Sequence, residues 1–131
     1  MRESITILVV EDNPGDERLV RESLRPFGKC VLEQAGSLGV ALRRLARGGV
    51  DAVLLDLGLP DASGLETFEG LRDRFPDVAT LVLTGHDDSN DALNAVSTGA
   101  QDYLVKGRFD SDGLWRAVCY AIERRQAATE L

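Results

Sequence analysis

Short apolar runs rich in β-branched residues alternate with helix-period segments along the whole 131-residue chain, and this alternation restricts the fold more than any other feature. Ile5-Thr6-Ile7-Leu8-Val9-Val10 is apolar at every other position on both faces, as a strand covered on both sides must be. Ala52-Val53-Leu54-Leu55 and Thr80-Leu81-Val82-Leu83 repeat the pattern, and weaker runs stand at Cys30-Val31-Leu32 and Tyr103-Leu104-Val105. Between them, Leu38, Ala41, Leu42 and Leu45 follow helical spacing after Ser37, a good N-cap. Leu65, Phe68, Leu71 and Phe75 form a stripe closed by Pro76, and Leu114, Val118, Ala121 and Ile122 form another near the C-terminus. Weaker helical segments span Gly15–Pro26 and Asp88–Thr98, with Pro14 and Asp88 as start signals. Five strand–helix units predict an α/β domain with a mainly parallel sheet, right-handed crossovers and helices on both faces. In such a sheet, ligands bind outside the carboxyl ends of the strands, where the strand order reverses.

The residues at those ends share a chemistry. The first strand runs into Glu11-Asp12, the third into Asp56, the fourth into Thr84-Gly85 and the fifth into Lys106-Gly107. One acid after a strand commonly caps the next helix and would mean little. Three carboxylates gathered in a crevice repel one another, and a hard dication such as Mg²⁺ relieves that repulsion. Lys106 adds a positive charge, Thr84 a hydroxyl, and Gly85 leaves room for an approaching group. A cation, a lysine and a hydroxyl around one carboxylate are what a phosphoryl group on that carboxylate needs for charge neutralisation.

Composition narrows the classes. The length fits one domain able to bury a proper core. A net charge of −7 and a pI near 4.7 speak against direct nucleic-acid binding, which needs a basic footprint. No run approaches the roughly 18 apolar residues of a membrane span, and the N-terminus lacks the form of a signal peptide. Cys30 and Cys119 are too few for a disulfide framework and read as small buried hydrophobes. No membrane partner and a cytoplasmic location are the default expectation.

The strand-end residues, in this order, resemble the receiver domain of two-component response regulators. The resemblance spans Ile5 to about Arg125 and rests on Glu11-Asp12, on VLLDLGLPDASG around Asp56, on LTG at Leu83–Gly85 and on GAQDYLVKG at Gly99–Gly107. It implies a single flavodoxin-like fold of five strand–helix units with strand order 2-1-3-4-5, occupying residues 1–126, with 127–131 a C-terminal tail or the start of a linker. It also implies that Asp56 accepts a phosphoryl group from a sensor histidine kinase or a phosphotransfer protein. Glu11 through water, Asp12 directly, Asp56 and the backbone carbonyl of Gly58 would hold Mg²⁺, with Mn²⁺ as the alternative ion. Lys106 would contact the phosphoryl group, Thr84 would turn toward it, and Tyr103 would follow. The output face would be built from the fourth helix, the fifth strand and the fifth helix, which is also where a homodimer would form. Such a chain is a signalling switch that catalyses only its own phosphoryl transfer and dephosphorylation.

Three positions depart from the commonest family pattern. Glu11 replaces an aspartate, which the family tolerates; Gly107 stands where many members have proline; and Gly58, two residues after the acceptor, offers no side chain to shield a phosphoryl group. His86 holds the matching place after Thr84 and reads first as a solvated loop residue. Asn13-Pro14-Gly15-Asp16 reads as a helix opening rather than a partner contact, and Pro60 with Asp61-Ala62-Ser63-Gly64 as a tight loop. Trp115 is either a packing residue or an anchor for a partner. A haloacid-dehalogenase-type phosphohydrolase would want an aspartate where Gly58 stands, and a flavin carrier would want hydroxyls rather than acids after the first strand. The cognate kinase and the output are not legible, nor is whether the chain stands alone or belongs to a larger protein.

Overall fold

The computed structural model describes residues 4–85 and 89–130. The elements are β1 (Ile5–Val10), α1 (Pro14–Leu24), β2 (Cys30–Ala35), α2 (Leu38–Ala46), β3 (Ala52–Asp56), β4 (Gly58–Leu59), β5 (Ala62–Ser63), α3 (Leu65–Arg74), β6 (Ala79–Thr84), α4 (Ser89–Ser97), β7 (Asp102–Val105) and α5 (Ser111–Glu130). Five strands form one parallel sheet in the order β2-β1-β3-β6-β7; β4 and β5 pair apart as a two-residue hairpin. Leaving the hairpin out of the count, this is the expected order 2-1-3-4-5. The architecture is the flavodoxin-like α/β fold.

Strand alternation divides the core in two. Leu8, Val10, Val53, Leu55 and Val82 point to the face covered by α2, α3 and α4, where they meet Ala41, Leu45, Phe68, Leu71, Ala92 and Ala95. Ile7, Val9, Ala52, Leu54, Leu81 and Leu83 point to the other face and meet Val20 and Leu24 of α1 and Leu114, Val118 and Ala121 of α5. Both faces are therefore dry, which is why these strands read as continuous apolar runs. β1 and β3 run side by side at the middle of the sheet, so Glu11 and Asp56 emerge together at its carboxyl edge.

Helix starts follow the capping signals. Asn13 Oδ1 accepts from the backbone N–H groups of Gly15 and Asp16, with Pro14 in the first turn. Ser37 Oγ accepts from Val40 N at 3.2 Å. α3 ends at Arg74, with Phe75 as its C-cap just before Pro76. Asp88, the expected start signal of α4, lies outside the described residues. β2 runs three residues beyond the apolar run that predicted it, because Glu33 and Gln34 find partners: Glu33 pairs with Arg44 of α2, and Gln34 Nε2 donates to the Glu11 carbonyl at 2.8 Å. Trp115 packs, its indole stacked on Phe27 with ring centroids 4.9 Å apart and planes 6° from parallel. No helix among the described residues is long and apolar enough to cross a membrane.

Candidate functional site

The first strand delivers an acid to the site with its backbone already engaged. Glu11 N donates to the Ala35 carbonyl at 2.9 Å, continuing the β1–β2 ladder by one residue. The side chain turns inward and is buried; Oε1 accepts from Asn13 N at 3.0 Å, while Oε2 lies 2.8 Å from Lys106 Nζ but outside hydrogen-bonding alignment with it. Asp12, the next residue, is exposed at the mouth of the pocket.

Asp56 is the last residue of β3 and is 8% exposed. Its Oδ1 accepts from Gly58 N at 3.0 Å, a local turn that fixes the carboxylate plane. Its Oδ2 accepts from Lys106 Nζ at 3.0 Å. The loop that follows is fastened by the Leu57 carbonyl, which accepts from Gly64 N at 2.8 Å and from the buried Thr67 hydroxyl at 3.0 Å. Gly64 sits there at φ +65°, a conformation that favours glycine. Asp61 reaches out of the same loop to accept from Leu38 N and Gly39 N at the start of α2, and these bonds hold its carboxyl below the usual range.

Glu11, Asp12 and Asp56 each place one carboxylate oxygen within 4.8 Å of the others. Lys106 faces this group from the end of β7. Its backbone N–H donates to the Thr84 carbonyl at 2.8 Å, so the lysine and the threonine are directly linked. Its ammonium meets Glu11, Asp16 and Asp56 at 2.8, 2.9 and 3.0 Å. Burial works to lower the Lys106 pKa, but the close carboxylates of Glu11, Asp16 and Asp56 outweigh it and hold the group above its ordinary value. Glu11 moves the other way from a free acid: burial first, and then the neighbouring Asp56, push its carboxyl from 4.5 up to about 7 against the pull of Lys106 and Asn13 N.

Three carboxylates thus meet one ammonium, a fourth, Asp12, lies within 4.8 Å of two of them, and one buried carboxylate oxygen has no hydrogen bond. This donor set fits a hard dication, which would bring the positive charge that a single lysine leaves short. The remaining expected residues stand nearby without joining the cluster. Thr84 is buried at the end of β6, one residue beyond the Asp56–Leu83 pairing, and its hydroxyl donates to the Gly85 carbonyl at 2.9 Å. Tyr103 is half-buried on β7 opposite Val82 and packs against the core beneath α4. Gly58 is exposed beside Asp56, and His86 lies outside the described residues.

One member of the cluster was not foreseen. Asp16, in the first turn of α1, reads in sequence as part of a helix opening, and an acid there is ordinary for dipole reasons. Only tertiary packing brings its Oδ2 to 2.9 Å from the lysine. No periodicity carries that signal.

Comparison with known proteins agrees with this geometry. The sequence model of the response regulator receiver domain matches residues 7–118. Curated relatives include the transcriptional regulatory protein KdpE of Mycobacterium tuberculosis, 38% identical over 125 residues that cover 95% of this chain and 54% of that protein. The KDP operon transcriptional regulatory protein KdpE of Escherichia coli is 35% identical over 127 residues, covering 94% of this chain and 53% of that one. The chain therefore spans about half the length of the curated relatives it matches. Among solved structures, a response regulator receiver domain protein from Clostridium thermocellum superposes with a TM-score of 0.83 at 27% identity, covering 95% of this chain and 98% of that one. The signal receiver domain of an HD domain-containing protein from Pseudomonas fluorescens gives 0.86 at 25% identity, over 99% and 95% of the two chains. With the fold, the acidic cluster and these matches in agreement, the chain belongs to the response regulator receiver domain family of two-component systems.

Proposed function

We propose that this receiver domain accepts a phosphoryl group on Asp56 from a sensor histidine kinase or a phosphotransfer protein. The observation that carries the reading is Asp56 itself: a strand-end carboxylate gripped by Gly58 N and Lys106 Nζ, with the Glu11 and Asp12 carboxylates within 4.8 Å. An Asp56 oxygen attacks phosphorus as the phosphorus–nitrogen bond of the donor's phosphohistidine breaks, and the departing imidazole takes up a proton. Gly58 N–H orients the carboxylate, and Lys106 neutralises charge on the incoming phosphoryl oxygens. Glu11, Asp12, Asp56 and the carbonyl of Gly58 are the groups that would hold Mg²⁺, or Mn²⁺ in its place. Bound there, the ion supplies charge neutralisation for the transferring group.

Readout follows from what the new charge asks of its neighbours. The Thr84 hydroxyl now donates to its own neighbour's carbonyl, and it must leave that bond to reach a phosphoryl oxygen. Lys106 N–H on the Thr84 carbonyl couples the two residues across β6 and β7. Tyr103, half-buried on β7, then repacks, and the α4–β7–α5 face changes its affinity for a partner or for a second copy of the chain. Residues 1–126 form the switch in this reading, and 127–131 are a C-terminal tail or the start of a linker. Neither nucleic acid nor membrane is a direct partner of this segment. The test is incubation with Mg²⁺ and acetyl phosphate: one hydroxylamine-sensitive phosphoryl group should appear, and Asp56→Asn should abolish it. Equal labelling of Asp56→Asn would overturn the reading.

A further inference from the structure

We propose that Asp16 is a positioning residue that clamps the Lys106 ammonium beside Asp56, an inference that rests on the phosphoacceptor reading for its functional consequence. Lys106 Nζ lies 2.9 Å from Asp16 Oδ2 and 3.0 Å from Asp56 Oδ2, so one ammonium bridges α1 and β3. The backbone is held, with Lys106 N donating to the Thr84 carbonyl at 2.8 Å and Arg108 N to the Val105 carbonyl at 3.0 Å, but the long side chain beyond it needs its own acceptors. Gly107 follows at φ +80°, and a Cβ placed there would meet nothing within 4 Å. A long lysine side chain loses considerable rotamer freedom when it is held at one point. The ammonium has three protons; Asp56 takes one, Glu11 Oε2 is close but misaligned, and Asp16 supplies the second aligned acceptor.

Position explains why this acceptor is useful. Asp16 is fixed by the N-terminal turn of α1, whose first backbone N–H groups are gathered by Asn13. Its side chain is 37% exposed, at the rim rather than the floor of the pocket. Asp16 and Asp56 are separate acceptors on one ammonium, so Lys106 can meet a phosphoryl group on Asp56 while keeping Asp16. The clamp makes the lysine ready before transfer instead of recruiting it during transfer.

Lysine occurs only at positions 29 and 106, and Lys29 is exposed, so amine acylation gives an internal control. With trace acetic anhydride and metal-free protein, Lys106 should react slowly relative to Lys29 in the native chain. Asp16→Ala should raise the Lys106 rate about threefold or more, whereas Asp16→Asn, whose amide oxygen still accepts but carries no charge, should fall between the native chain and Asp16→Ala. With Mg²⁺ and acetyl phosphate, Asp16→Ala should slow labelling of Asp56 about tenfold, the scale of one hydrogen bond to a charged group. It should add nothing in a Lys106→Ala background. An unchanged Lys106 acylation rate in Asp16→Ala would overturn the clamp, as would equal slowing with and without Lys106. A native chain that takes no phosphoryl group would instead refute the phosphoacceptor reading, and the acylation result would still decide the clamp.

Discussion

Glu11→Gln should stabilise the metal-free protein, and the gain should grow with pH. Glu11 is 1% exposed, and its carboxyl sits at about 7 in the folded chain against 4.5 for a free side chain. Between those values the folded state binds more protons than the unfolded one, so stability is greatest below 4.5, falls as pH rises toward 7 and levels off above it. At about 1.4 kcal/mol per pH unit of displacement, holding Glu11 ionised costs the folded state about 3 kcal/mol. Lys106 stays charged across this range, since its own pKa is held above the ordinary value. Urea unfolding in the presence of a chelator, at about pH 5 and about pH 8, measures the effect. The native chain should lose about 2.5 kcal/mol relative to Glu11→Gln between those conditions, since part of the full displacement is already lost at about pH 5, and Mg²⁺ at the higher pH should restore much of it to the native chain alone. Parallel pH profiles for the two proteins, within about 0.5 kcal/mol, would refute the assignment of a strained, buried acid.

Other expectations concern the scaffold. Phe68→Ala should cost about 3–5 kcal/mol in chemical denaturation, because Phe68 is 1% exposed under α3 and leaves a cavity that α4 and β3 cannot close. Asn13→Ala should cost about 1 kcal/mol through the lost cap on α1, a change read from the denaturation midpoint. Burial, and then the proximity of Cys119, push the Cys30 thiol up to about 11, and burial also raises Cys119; both should therefore react slowly with a disulfide reagent at neutral pH and rapidly once urea exposes them.

Sequence reached the fold because β1, β3 and β6 carry buried apolar runs, at residues 7–10, 52–55 and 81–83, that face the core on both sides of the sheet. β2 was legible only to Leu32, since at a sheet edge Glu33 and Gln34 are satisfied by a helix and by a neighbouring carbonyl that no local window contains. The β4–β5 hairpin has two residues per strand, too few for any period to register. At the site, the acids and the lysine were legible because each directly ends an apolar run. Asp16 was not, because its partner is 90 residues away in the chain and meets it only through tertiary packing. Trp115 could be read as packing or as a partner anchor until Phe27 was found stacked on it.

Glu11, Asp16 and Asp56 meet Lys106, Asp12 lies beside two of them, and of these four carboxylates Asp56 alone is the proposed acceptor. Borohydride reduces an aspartyl phosphate to homoserine, so treating the phosphorylated protein and mapping its peptides names the acceptor. Conversion at Asp56 alone is the predicted result. Conversion at Asp12 or Asp16, or none after labelling with Mg²⁺ and acetyl phosphate, would contradict the central claim.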